Sequence, residues 1–84
     1  MKTVIFLHHP VLNDTFAYFP LEKWDRMGNR VSFGTNMSYD ACSPDYASEC
    51  EDAATSQFDW IKNDLEYKGY KLNILLKNDL IKSK

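Results

Sequence analysis

The side chains best suited to chemistry are two histidines and two cysteines, His8, His9, Cys42 and Cys50. Imidazole and thiolate are the ligands that zinc prefers. Adjacent histidines on a strand point to opposite faces, so at most one of them could join a site with the cysteines. The cysteines lie eight positions apart, whereas paired zinc ligands usually lie about two to four apart. We therefore expect no metal and no cofactor.

Catalytic motifs are missing from the sequence. A Cys42 nucleophile with a histidine base would have nothing to orient the base and no oxyanion site. Pairs drawn from Asp40, Asp45 and Asp52 could serve as acid and base only if burial shifted a pKa. There is no glycine-rich phosphate loop and no nucleophile-elbow serine. We predict that the protein is not an enzyme.

A block of negative charge is the most informative feature. Between Arg30 and Lys62 there is no lysine or arginine, yet there are six carboxylates: Asp40, Asp45, Glu49, Glu51, Asp52 and Asp59. Such a block repels itself, so it is either tolerated because solvent screens it or neutralised by a positive partner. Both interpretations are open at this level.

Aromatic side chains form a second candidate contact surface. Trp24 is isolated among charged residues and is the better candidate for a partner-facing anchor, while Trp60 would lie on the flank of a helix. Exposed tryptophans beside charges are typical of interface hot spots. Alternatively, Trp60 and Tyr67 simply cover the edge of the sheet.

Length and composition bound the remaining possibilities. The chain has 84 residues, 44% of them hydrophobic, with three glycines and three prolines, which fits one folded domain over residues 1–84. No apolar run is long enough for a membrane span, and no secretory signal is recognisable. We therefore expect a cytoplasmic location, in its own cell or in a host, with both cysteines as thiols. The only basic cluster is at residues 77–84, so no direct nucleic-acid binding is expected.

The apolar pattern predicts strands at residues 2–8, 15–19, 30–35 and 70–76, with the first at the sheet centre. Pro20 should end the second strand, residues 21–29 should form a helical turn or a long loop, and residues 78–84 a flexible basic tail or a short helix. The resulting order, β-β-β-α-β, indicates an α+β two-layer sandwich with a three- to four-stranded, mainly antiparallel sheet and one amphipathic helix on one face.

Ser43, Pro44 and Asp45 form a helix-start signature. A continuous helix to residue 68, ended by Gly69, would carry an apolar stripe formed by Ala47, Cys50, Ala54, Phe58, Ile61 and Leu65, with carboxylates opposite. The carboxylates would then form a straight row spaced like nucleic-acid phosphates. Alternatively, the helix breaks at Thr55 and Ser56, where Ser56 and Asp59 could form a capping box.

Residues 14–20, followed by Gly34 and Thr35 before a helix, resemble the toxin-binding domain of HicB-type antitoxins. The resemblance covers less than half the chain, lacks that family's proline-glycine turn, and transfers no functional residue. It implies the same β-β-β-α-β order and an antitoxin-like regulatory role.

These features lead to two hypotheses for a monomeric or homodimeric protein. In the first, a small module, of the kind that phages and mobile elements encode as inhibitors, presents its carboxylates to a basic host protein, with possible nucleic-acid mimicry. In the second, an antitoxin-like or regulatory protein binds its partner through a sheet edge and exposed aromatic residues.

Overall fold

The computed structural model describes residues 1–34 and 37–82. These residues form six strands and three helices: β1 (Lys2–His9), β2 (Asp14–Lys23), β3 (Arg30–Phe33), β4 (Tyr39–Cys42), α1 (Pro44–Glu49), β5 (Glu51–Asp52), α2 (Thr55–Tyr67), β6 (Leu72–Leu75) and α3 (Lys77–Lys82). The predicted α+β class is confirmed. Among the described residues, no helix is long and apolar enough to cross a membrane.

Four strands lie side by side in the order β4-β3-β2-β1. Strands β5 and β6 both pair with β1 on the side away from β2. Strand β6 runs parallel to β1, while the other pairs are antiparallel. The central position predicted for the first strand is confirmed. A turn at residues 10–13, with Asn13 at a φ of 53°, connects β1 to β2.

Both faces of the sheet are covered because β1 and β2 are apolar on both sides. On one face α2 completes the cluster Val4, Phe6, Ala17, Phe19, Phe33, Ile61 and Leu65. On the other face α1 completes the cluster Ile5, Leu7, Phe16, Tyr18, Cys42, Ala47 and Cys50. Consecutive residues of a strand face opposite sides, so a single helix could not cover both sets of side chains.

The predicted continuous helix is wrong. The chain leaves α1 at Cys50, pairs with Leu7 and His8 as β5, and enters α2 on the opposite face. Ala53 N–H donates to the Phe6 carbonyl at 2.9 Å, so the crossing segment supplies backbone partners to the edge of β1. The alternative prediction, a helix break at Thr55 and Ser56, is close to the observed start of α2 at Thr55. The capping box differs from the predicted pair of Ser56 and Asp59, because Gln57 Oε1 accepts from Ala54 N–H at 2.8 Å.

The remaining boundaries differ in detail from the sequence predictions. Pro20 does not end β2, which continues to Lys23 after an irregularity in its pairing with β3. Strand β4 was not predicted, and β6 is shorter than the predicted strand 70–76. Gly69 ends α2 as expected, at a φ of +100°. Residues 77–82 form α3, whereas Thr35, Ser83 and Lys84 lie outside the described residues.

Candidate functional site

The six carboxylates of the acidic window are all exposed, but they do not form one row. Asp40 lies on β4, at the sheet edge opposite to β5, which carries Glu51 and Asp52. Helix α1 carries two more carboxylates, and Asp59 lies on α2, across the sheet from α1. The straight row expected from a continuous helix is therefore wrong.

Two of these carboxylates accept hydrogen bonds from the backbone. Asp40 Oδ1 accepts from Ala41 N–H at 2.8 Å, and Asp52 Oδ1 accepts from Lys77 N–H at 3.0 Å. Lys77 Nζ donates to the Cys50 carbonyl at 2.5 Å, which brings a cation beside the acidic β5. Within the described part of the chain, none of the six carboxylates forms an ion pair with a lysine or arginine.

The histidines and cysteines do not converge. His8 Nδ1 lies 2.7 Å from Thr15 Oγ1 on one face of the sheet. His9 stacks on Tyr46 at 5.1 Å on the other face, and its Nδ1 accepts from Leu12 N–H. Among the described residues, no three His, Cys, Asp or Glu side chains are grouped to hold a metal ion.

Both cysteines are free and buried. Burial is the main cause that raises the pKa of the Cys42 thiol to about 12, and the neighbouring Cys50 adds to the effect. Burial also raises the pKa of Cys50. Because the thiolate is the nucleophile, both groups remain inert thiols near neutral pH. They act as small apolar side chains under α1.

A cleft of about 520 Å³ lies beside α1, between β2 and β4. Several of its polar groups are bound by the protein itself. Tyr46 Oη donates to Asp14 at 3.0 Å, Ser43 Oγ accepts from Tyr46 N–H at 3.0 Å, and Ser32 Oγ donates to the Asp40 carbonyl. The first bond links α1 to β2, the second caps α1 and the third joins β3 to β4, so these polar groups of the cleft serve packing rather than ligand recognition.

The end of the β2–β3 hairpin, residues 21–29, is called the arm from here on. Asp25 fixes its turn by accepting three hydrogen bonds, from Met27 N–H at 2.9 Å, from Asn29 N–H at 3.3 Å and from Asn29 Nδ2 at 2.8 Å. Gly28 has a φ of +94°, a conformation that favours glycine. Arg30 Nε donates to the Pro20 carbonyl at 3.1 Å and braces the arm where it leaves the sheet.

This ordered arm exposes large apolar side chains. Leu21 is 70% exposed, Trp24 is 46% exposed and Met27 is 88% exposed. Lys23 and Arg26 are also exposed. Within the described part of the chain, the Trp24 indole makes no hydrogen bond. A turn held by its own carboxylate therefore presents apolar and cationic groups to solvent.

Trp60, the other tryptophan proposed as an anchor, has a different environment. It is 40% exposed on α2, and its indole N–H donates to the Gln57 carbonyl of the same helix at 2.9 Å. Its polar atom is thus already satisfied by the helix that carries it. Trp24 thus lies on the arm and Trp60 lies on α2 next to Asp59, whereas the other five carboxylates lie on β4, α1 and β5.

Leu21 and Met27 were not predicted as site residues, because residues 21–29 were expected to form a helical turn or a long loop. The pattern of Asp25 followed by Gly28 and Asn29 is a turn signal that could have indicated a hairpin. No protein-family model, curated protein or solved structure matches the chain. Its function therefore has to be inferred from its own surface.

Proposed function

We propose that this protein is a non-enzymatic protein-binding module and that it contacts its partner through the arm. The observation that carries the proposal is the exposure of Leu21, Trp24 and Met27 on a turn that Asp25 holds in place. Tryptophan and methionine are enriched at protein interfaces. A loop that is ordered before binding loses less conformational entropy when it docks.

The free energy gained by burying the exposed apolar side chains of the arm can be compared with the cost of association. Full burial of a large apolar side chain is worth about 1.5–3 kcal/mol. The exposed fractions of Leu21, Trp24 and Met27 amount to about two such side chains, so docking of the arm supplies roughly 3–6 kcal/mol. Association itself costs on the order of 4–15 kcal/mol. The three apolar side chains are therefore suitable hot spots, but a stable complex needs further contacts around them.

The proposal is tested by retrieving partners from a cell lysate with tagged protein and comparing two variants. The double variant Trp24→Ala/Met27→Ala should lose the retained protein, because hot-spot truncation costs about 2 kcal/mol or more per residue. Trp60→Ala is the matched control, since Trp60 has nearly the same exposure but lies on α2. It should retain the partner.

Equal recovery by the wild type, the arm variant and the Trp60→Ala control would refute the arm as the contact element. Circular dichroism of each variant must show an unchanged fold. The substituted side chains are exposed and lie outside both buried clusters, so unfolding is not expected.

A second candidate function is an inhibitor that presents acidic side chains to a basic host protein. It is favoured by the exposure of all six carboxylates and by the lack of ion pairs with the described lysines and arginines. If α1 carries that contact, Asp45→Lys/Glu49→Lys should release the partner and the arm variant should not. If the arm variant releases the partner and Asp45→Lys/Glu49→Lys does not, the carboxylates of α1 are excluded as the contact and the arm is favoured.

A further inference from the structure

Together with Lys2, which pairs with Glu22, the arm has one excess positive charge, because Asp25 stays ionised and balances only one of its two cations. Both of its carboxylates are already engaged, since Glu22 Oε2 pairs with Lys2 Nζ at 2.7 Å and Asp25 is bound within its own turn. Lys23 and Arg26 are exposed, and neither forms an ion pair among the described residues. The chemistry that the arm offers to a partner is therefore cationic and apolar.

A groove continues this surface at the base of the arm. It has a volume of about 520 Å³ and lies between Leu21 and the turn from α2 to β6, where Tyr70 and Lys71 line it. The ion pair of Lys2 with Glu22 also lines it and adds no net charge. Lys71 is exposed and, in the part of the chain that the structure describes, has no carboxylate partner. Cations thus flank the apolar arm on the side of the groove as well.

We infer that the segment bound by the arm is an acidic stretch of a protein, with at least one apolar side chain among its carboxylates. The inference rests on the proposed function and specifies the partner. The carboxylates would face Lys23, Arg26 and Lys71, and the apolar side chain would pack between the arm and the groove. This charge is opposite to that of the basic partner expected from the acidic window.

A protein segment fits this surface better than an anionic membrane does. An apolar tip beside cations is also found on proteins that dock on lipid surfaces. However, Leu21 and Tyr70 lie in the groove, a shallow, open depression that also contains the paired charges of Lys2 and Glu22, and the apolar interior of a bilayer would have to desolvate this ion pair to reach them. A side chain projecting from a peptide can fill the groove.

Binding to the arm can be measured by the fluorescence emission of Trp24. The chain has two tryptophans, so Trp60→Phe leaves Trp24 as the only one. This variant is titrated with three synthetic peptides that share a Phe-Leu core flanked by Glu, by Ser or by Lys. Vesicles of phosphatidylserine and phosphatidylcholine are titrated in parallel, and Trp24 emission reports binding in each case.

The Glu-flanked peptide should bind at least about tenfold more tightly than the Lys-flanked one, because complementary charge selects the partner. Raising the salt from about 0.1 M to about 1 M shortens the Debye length from about 10 Å to about 3 Å and should remove most of this preference. Lys23→Glu and Arg26→Glu should each reduce the preference for the Glu-flanked peptide. Lys62→Glu makes the same change of charge on α2, outside the arm, and should leave that preference unchanged.

Equal affinity for the Glu- and Lys-flanked peptides, or no response to any peptide, would overturn the inference. A response to the vesicles alone would also overturn it, in favour of a lipid surface. These failures are distinguishable from failure of the proposed function. If Trp24→Ala/Met27→Ala abolishes capture from lysate but no peptide preference exists, the arm binds a protein that is not acidic.

Discussion

At the scale of single residues, Asp25 determines whether the arm has a fixed shape. Its carboxylate accepts hydrogen bonds from the Met27 and Asn29 backbone and from the Asn29 side chain. The Asn29 side chain is the main cause that lowers the pKa of Asp25 below its ordinary value of 3.8, and the two backbone bonds act in the same direction. The ionised carboxylate is thus the form that stabilises the turn.

This pKa shift predicts an acid-sensitive arm. Because the pKa is lowered in the folded state, the stabilisation is fully present above the ordinary value of 3.8 and is lost as the pH falls through the lower folded value. In the Trp60→Phe background, Trp24 emission should therefore be constant at neutral and mildly acidic pH and should change only below that value. In Asp25→Ala the emission should already differ at neutral pH and should lack this acid transition. A transition of the parent well above pH 4 would show that Asp25 does not hold the turn.

At the scale of secondary-structure elements, the sequence predicted the strands that carry the core. The run Val4, Ile5, Phe6 and Leu7 indicated burial on both faces, and the structure has all four buried. The same run implied that each face needs a cover. The predicted sandwich, with one helix on one face, did not meet this requirement, whereas in the structure α1 and α2 cover opposite faces.

The break between α1 and α2 could not be located from periodicity. The apolar positions from Ala47 to Leu65 keep a helical spacing, although Ala47 packs on one face of the sheet and Leu65 on the other. What decides the break is the pairing of Glu51 and Asp52 with β1, a long-range contact that local spacing does not encode. Strand β4 was not predicted, because three of its four residues are exposed and it therefore lacks an alternating apolar pattern.

Helix α2 should be the main helical contributor to stability. Leu65 is fully buried against the sheet, so Leu65→Ala should lower the free energy of unfolding by about 2–5 kcal/mol. Tyr67→Ala, two residues further along the same helix, replaces an exposed side chain and should change it by no more than about 0.5 kcal/mol. Urea unfolding measures both values, and similar losses for the two variants would contradict this packing.

In the molecule as a whole, the acidic strand β5 and the arm lie near opposite ends of β1. Strand β5, which carries Glu51 and Asp52, pairs with Leu7 and His8 near the end of β1. The arm contacts the beginning of β1, where Lys2 pairs with Glu22. A formal net charge of −2 therefore conceals a separation of charge along β1, with the carboxylates of β5 near one end and the exposed cations of the arm near the other.

Sequence reasoning identified only part of the candidate site. Trp24 was recognisable as an isolated aromatic residue among charges. Leu21 and Met27 were not, because their exposure depends on β2 continuing past Pro20 and carrying the turn away from the core. The acidic residues were found by composition, but whether they formed one surface depended on how the chain crosses the sheet after α1.

Nuclear magnetic resonance of the ¹⁵N-labelled protein, with and without the captured partner, would map the contact residue by residue. If the arm is the contact element, the largest amide shifts fall in residues 21–29 and 69–71, while α1 and β5 are unchanged. If instead the largest shifts fall in α1 and β5 and the arm is unperturbed, the arm is not the contact element and the partner binds the carboxylates of α1 and β5.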